Sequence, residues 1–164
     1  MKEIKEYLKT VSSILDSIPV EKVDKIINVL IDAYNNRKQI FLFGNGGSAA
    51  TSSHLACDLG KGVTTLSRKR FKVYSLADCV PLMTAWANDT DYEFIFSRQM
   101  ENFIDNGDIA FALSGSGNSK NILNALELAR EKGALTIGLT GFAGGKMKDL
   151  CNICVVVESN NMQQ

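Results

Sequence analysis

The sequence has one histidine and no surplus of either charge: 18 basic side chains offset 18 acidic ones over 164 residues. A single histidine excludes any zinc site built on two or more imidazoles from one chain. Zero net charge argues against nucleic-acid binding by phosphate neutralisation. Long apolar runs are missing too. ICVVV and IAFAL fall far short of the ~18 residues a bilayer crossing needs. The N-terminus MKEIKEYLKTVSSILDSI mixes charge with apolar positions and has no signal-peptide core. These absences favour a cytoplasmic protein acting on something small. A length of 164 residues can bury a core with no disulfide or structural metal.

Several motifs are also absent. No G-x-x-x-x-G-K-[ST] marks a nucleoside triphosphatase, and no G-x-S-x-G elbow marks a serine hydrolase. Gly44-x-Gly46-x-x-Ala49 loosely fits a dinucleotide fingerprint. The acidic residue expected after the second strand is not there, since Asp78 lies too far on, and no nucleotide cofactor is expected. Cys57 and Cys79 stand alone. Cys151 and Cys154 form a C-x-x-C in a β-branched run that reads as a buried strand, so structural, reduced thiols are the simple reading.

What is present is a regular alternation. Apolar positions recur at three- and four-residue spacing over 3–17 and 20–36, with Pro19 between, which predicts two amphipathic helices. The first could dock on a neighbouring subunit, although a long amphipathic helix most simply packs in its own core. Short apolar runs at 39–43, 71–76, 109–113, 135–140 and 153–157 read as strands buried on both faces. Helical stretches at about 48–60, 79–87, 92–104, 118–132 and 144–149 lie between them. The pattern predicts a single α/β domain over residues 1–164: a doubly wound, three-layer sheet of five parallel strands, with a helical preface over about 1–37. The last strand is an edge covered by the N-terminal helices, or further residues follow it.

Ligands bind where strands of such a sheet run into helices. Two junctions stand out. After the first strand comes Gly44-Asn45-Gly46-Gly47-Ser48, whose glycines admit close backbone approach and whose Ser48 is placed to cap a helix. After the third comes Ser114-Gly115-Ser116-Gly117-Asn118-Ser119, an anion cradle of hydroxyls without a fixed cation. Together they suggest a monophosphate on the serines and the rest of a polar ligand on the glycine loop. His54 and Asp58 are four apart, on one helix face, and can serve acid–base chemistry or hold a metal. Asn88-Asp89-Thr90-Asp91 follows a predicted helix as an Asx turn.

FGNGGSAATSSHLACDLGKG, AWANDTDYEFIFSRQME, LSGSGNSKNILNALELAREKGALTIGLTG and GGKMKDLCNICVVV cover much of the chain. GNGGSA with a His six residues past its Ser, Asn-Asp before FSRQ, and S-x-S-G-N-S together resemble the sugar isomerase (SIS) domain, in its phosphoheptose isomerase branch. The resemblance implies a flavodoxin-like fold, a homotetramer, and conversion of sedoheptulose 7-phosphate to D-glycero-D-manno-heptose 7-phosphate through an enediol, a step towards bacterial surface heptose. It implies that Ser114, Gly115, Ser116 and Ser119 hold the phosphate. Asn45, Gly46, Gly47 and Ser48 would line the sugar, with Asn88 and Asp89 on hydroxyls from the other side. His54 would be acid or zinc ligand, and Asp58 would be base or second ligand. That family commonly has Glu at the position of Asp58, one methylene longer, and carries a Gln and a His on a further C-terminal helix that would begin beyond Gln164. The family also includes non-catalytic modules, among them a binder of the bacterial replication initiator, which is the alternative reading. A partnering membrane or nucleic acid is not expected.

Overall fold

The computed structural model describes residues 1–63 and 69–161. Helices α1 (Lys2–Asp16) and α2 (Val20–Asn35) precede β1 (Gln39–Gly44). There follow α3 (Gly47–Cys57), β2 (Lys72–Ser75), α4 (Val80–Asp89), α5 (Ser97–Met100), β3 (Ile109–Ser114), α6 (Lys120–Glu131), β4 (Leu135–Thr140), α7 (Met147–Leu150) and β5 (Ile153–Val156). The five strands form one parallel sheet in the order β2-β1-β3-β4-β5. This is the flavodoxin-like order, and its direction reverses between β1 and β3.

The sheet forms because its strands are apolar on both faces. All six residues of β3, IAFALS, are buried, as are five of the six in β1. Phe41, Phe43, Ala110 and Ala112 point to one side, where Ile122, Ala125, Leu126 and Ala129 of α6 meet them together with Ile95, Phe96 and Met100. Ile40, Leu42, Phe111 and Leu113 point to the other, against Ile26 and Ala33 of α2 and Leu55 of α3. Each large apolar side chain buried this way contributes about 1.5–3 kcal/mol. The predicted three-layer architecture is therefore present. β5 is an edge strand, and α2 lies on it: Lys22 Nζ donates to the Cys154 carbonyl at 2.9 Å.

Several local expectations need correction. The predicted helix over 48–60 ends at Cys57 and continues as a π turn over Asp58–Gly62, where Val63 N–H reaches the Asp58 carbonyl at 3.0 Å. Gly60 and Gly62 weaken the α-helix there. The helix predicted over 92–104 is a short 3-10 turn (Tyr92–Phe94) followed by the four-residue α5. Ser97 Oγ donates to the Phe94 carbonyl and Gln99 Nε2 to those of Ile95 and Leu76, bonds that compete with a regular helix. Asn88 and Asp89 belong to the last turn of α4 instead of following it; the Asx turn forms at Asp91, whose carboxylate accepts from Glu93 N–H at 2.9 Å.

Helix α1 does not join the chain's own core. None of its residues is buried, and Ile4, Leu8 and Leu15 are each at least 60% exposed. The C-x-x-C is structural in placement. Cys154 is buried in β5 and Cys151 half-buried just before it, while Cys57 and Cys79 are exposed. The hydrogen bond with Cys151 holds the Cys154 thiol below the ordinary thiol range, at about 7, and the same bond with burial pushes Cys151 up. Among the described residues no helix is long and apolar enough to cross a membrane.

Candidate functional site

The β1–α3 and β3–α6 loops emerge side by side at the reversal point of the sheet, because β1 and β3 pair in register from Ile40↔Ile109 to Gly44↔Leu113. In the first loop Gly46 takes φ +55, and this sharp entry starts α3 at Gly47. Ser48 is therefore inside the helix, not its cap: no side chain caps α3, and Ser48 donates its N–H to the Asn45 carbonyl at 3.0 Å. Ser52, buried one turn on, donates its hydroxyl to the Ser48 carbonyl.

The second loop is held by its own hydroxyls and amides. Gly117 N–H donates to both the carbonyl and the hydroxyl of Ser114, each at 3.2 Å. Ser116 Oγ accepts from Asn118 N–H at 3.3 Å, and Asn118 Oδ1 accepts from Lys146 N–H at 3.0 Å. Gly117 has φ +63, and a Cβ there would lie 2.1 Å from the Gly144 carbonyl oxygen, so only glycine lets the β3–α6 and β4–α7 loops meet. Gly115 anchors the same contact by accepting from Gly141 N–H at 2.9 Å. Ser119 is the N-cap residue of α6, yet its hydroxyl makes no capping bond.

His54 and Asp58 come together as the spacing predicted. Nε2 lies 3.3 Å from Oδ2, and the side chains are 79% and 54% exposed. They line an open cleft of about 530 Å³ with Ala50, Thr51, Leu55, Leu113 and Leu139. A second cleft of about 270 Å³ is lined by Asn45, Tyr92, Ser119, Lys120 and Asn121 among others. Lys120 Nζ pairs with Glu93 at 3.1 Å beside it. Asn88 and Asp89 are among the lining residues of neither cleft; the Asn88 amide donates to the Asp89 carboxylate at 2.9 Å. Gly46, Gly115 and Ser116 in the two loops, Gly47 and Ser48 at the start of α3 and Ser114 at the end of β3 stand at the same rim of the sheet without lining either cleft.

Two neighbours of Asn45 escape a reading by motif. Asn121, the second residue of α6, and Tyr92 both bond to the Asn45 side chain. Neither has a sequence signal, because each meets Asn45 only through the tertiary fold.

A zinc ion takes three or four protein donors. His54 and Asp58 supply two, and among the described residues no group of three or more His, Cys, Asp or Glu side chains converges. The described donors do not by themselves make a zinc site.

Residues 6–141 match the SIS domain. A phosphoheptose isomerase of Aliarcobacter butzleri is 40% identical over 163 residues, covering 96% of this chain and 84% of the relative. One of Akkermansia muciniphila is 41% identical over 145 residues, covering 87% and 76%. The structure of a phosphoheptose isomerase from Neisseria gonorrhoeae superposes with a TM-score of 0.88 at 25% identity, covering 99% of this chain and 85% of that one. Loops, helix pair and sheet order thus fall within one pattern, and the chain belongs to the SIS-domain family, in its phosphoheptose isomerase branch.

Proposed function

We propose that this chain is an aldose–ketose isomerase that interconverts sedoheptulose 7-phosphate and D-glycero-D-manno-heptose 7-phosphate. The observation that carries the reading is the His54–Asp58 pair, 3.3 Å apart at the C-terminal end of α3, on the helix that the glycine loop begins. It is supported by the relatives' names and by a loop of three serines at the same sheet rim.

In this reading the Asp58 carboxylate removes a proton from C1 of the ketose. The C–H electrons form the C1=C2 bond, and the C2 carbonyl oxygen takes a proton from His54, giving the enediol. Asp58 then returns its proton to C2 while the O1 hydroxyl gives its proton to His54, leaving the aldehyde at C1. Protons and electrons balance, so no oxidant is needed. No step runs through a metal.

The phosphate end is held by Ser114, Ser116 and Ser119 at the start of α6, where the helix dipole favours an anion. The Ser119 hydroxyl, unused as a cap, is free for this bond. Asn45 meets the sugar from the glycine loop. The zero net charge fits such a clamp, which uses hydroxyls and a helix terminus in place of a cation cluster. Copies of the chain assemble through the apolar face of α1, which its own fold leaves uncovered.

Incubation with sedoheptulose 7-phosphate, followed by proton NMR of the C1 aldehyde and its ring forms, tests the reading. Product formation that disappears in Asp58→Asn with ligand binding retained is expected. Binding without turnover of any seven-carbon ketose phosphate, with or without added zinc, overturns it and favours a non-catalytic module. The specific observation on that side is Asp58 itself, a shorter carboxylate than the resembled family commonly places there.

A further inference from the structure

We infer that Asn121 is a positioning residue that locks the Asn45 side chain as a hydrogen-bond donor toward the substrate. The inference rests on the reaction proposed above.

Asn121 is 2% exposed, in the first turn of α6, and 76 residues from Asn45. The two amides face each other reciprocally. Asn45 Nδ2 donates to Asn121 Oδ1 at 2.9 Å, and Asn121 Nδ2 donates to Asn45 Oδ1 at 2.9 Å. Tyr92 Oη donates to the same Asn45 oxygen at 3.1 Å. An amide oxygen has two lone pairs and an amide nitrogen two hydrogens. Both lone pairs of Asn45 Oδ1 are thereby engaged, and one of its N–H groups. What remains for a ligand is a single N–H.

The consequence is chemical polarity. A free asparagine can turn its amide over and offer either an oxygen or an N–H. Asn45 cannot turn over alone, because that would set oxygen against oxygen and nitrogen against nitrogen across the part-buried pair; inversion takes both amides together, with the Tyr92 hydroxyl turning from donor to acceptor. In the observed arrangement its remaining N–H meets an acceptor. In an enediol reaction the sugar oxygens gain negative charge on the way to the intermediate, so a fixed donor stabilises the transition state more than the ground state. The pair also ties the two junctions together, since Asn45 is in the β1–α3 loop and Asn121 stands in the first turn of the helix that follows the serine loop. Asn121 acts through Asn45.

The test is a double-mutant cycle with sedoheptulose 7-phosphate, read beside an NMR measurement on the ligand-free protein. Asn121→Ala is expected to lower kcat about 10- to 100-fold, the scale of a small misplacement in an active site, with KM changed less than threefold because the serine loop still holds the phosphate. Asn121→Asp, of equal size, is expected to do the same by setting a carboxylate oxygen against Asn45 Oδ1. In the Asn45→Ala background, adding Asn121→Ala is expected to cost nothing further. Losses that multiply in the double variant overturn the inference, as does a lowered melting temperature with kcat intact. The NMR arm needs no turnover. The Asn45 side-chain amide signals, assigned by their loss in Asn45→Ala, are expected to exchange slowly with water in the wild type and rapidly in Asn121→Ala and Asn121→Asp. Unchanged exchange overturns the positioning role. An inactive wild type with protected Asn45 signals overturns the isomerase reading and leaves the amide lock standing.

Discussion

His54 Nε2 lies 3.3 Å from Asp58 Oδ2, across one helical turn, with both side chains open to solvent. An ion pair this exposed contributes little to stability, about 0–1 kcal/mol. Removing it should therefore barely change folding, and any large effect on rate reports chemistry. Asp58→Asn is expected to lower kcat by about 10²- to 10⁴-fold, the range for loss of a general base. Its melting temperature should stay within about 2 °C of wild type, as measured by calorimetry beside the kinetics.

Ser119 caps α6 by position but not by hydrogen bond. Ser119→Ala therefore spares the helix and removes a hydroxyl from the phosphate clamp. One lost hydrogen bond to a charged group is worth about 1.5–3 kcal/mol, which corresponds to about a 10- to 100-fold rise in KM. Steady-state kinetics should show that rise with kcat nearly unchanged. An unaltered KM would remove Ser119 from the clamp.

At Gly117 backbone conformation and crowding act together: φ is +63, and a Cβ would stand 2.1 Å from the Gly144 carbonyl oxygen. Gly117→Ala is expected to destabilise the protein by about 3 kcal/mol, seen as a melting temperature lowered by about 6–12 °C. Weaker phosphate binding should accompany it, because the serine loop must shift.

Ile4 and Leu8 stand on an uncovered face of α1. The double substitution Ile4→Asp and Leu8→Asp is expected to leave the sheet domain folded while reducing the assembly to a smaller species, read by light scattering coupled to gel filtration. A monomeric wild type would contradict assembly through this helix.

The sheet was legible because its strands are short apolar runs and its helices carry three- and four-residue periodicity. IAFAL and LTIGLT each match an observed strand to within a residue. The two loops were legible from glycine and serine at strand ends, and the His54–Asp58 contact from spacing alone. Other features depend on tertiary competition. The break after Cys57 and the split of 92–104 arise where glycines and side-chain-to-backbone bonds overrule a helical pattern. The helix cap passed from Ser48 to Gly46 because a positive φ, invisible in the letters, starts α3 one residue earlier. Asn121 carried no signal, since an asparagine in a helix's first turn is ordinary until its partner 76 residues away is seen. The exposure of α1 was equally hidden, as an amphipathic helix has the same pattern whichever chain covers it.

In the proposed reaction Asp58 carries the proton between C1 and C2. The most direct measurement is incubation with sedoheptulose 7-phosphate in deuterated water, followed by NMR of the recovered sugars. Deuterium at C2 of the aldose and C1 of the ketose, present with wild type and absent with Asp58→Asn, is the predicted result. Recovered sugar with no deuterium at either carbon, from protein that binds it, would rule out proton transfer by Asp58.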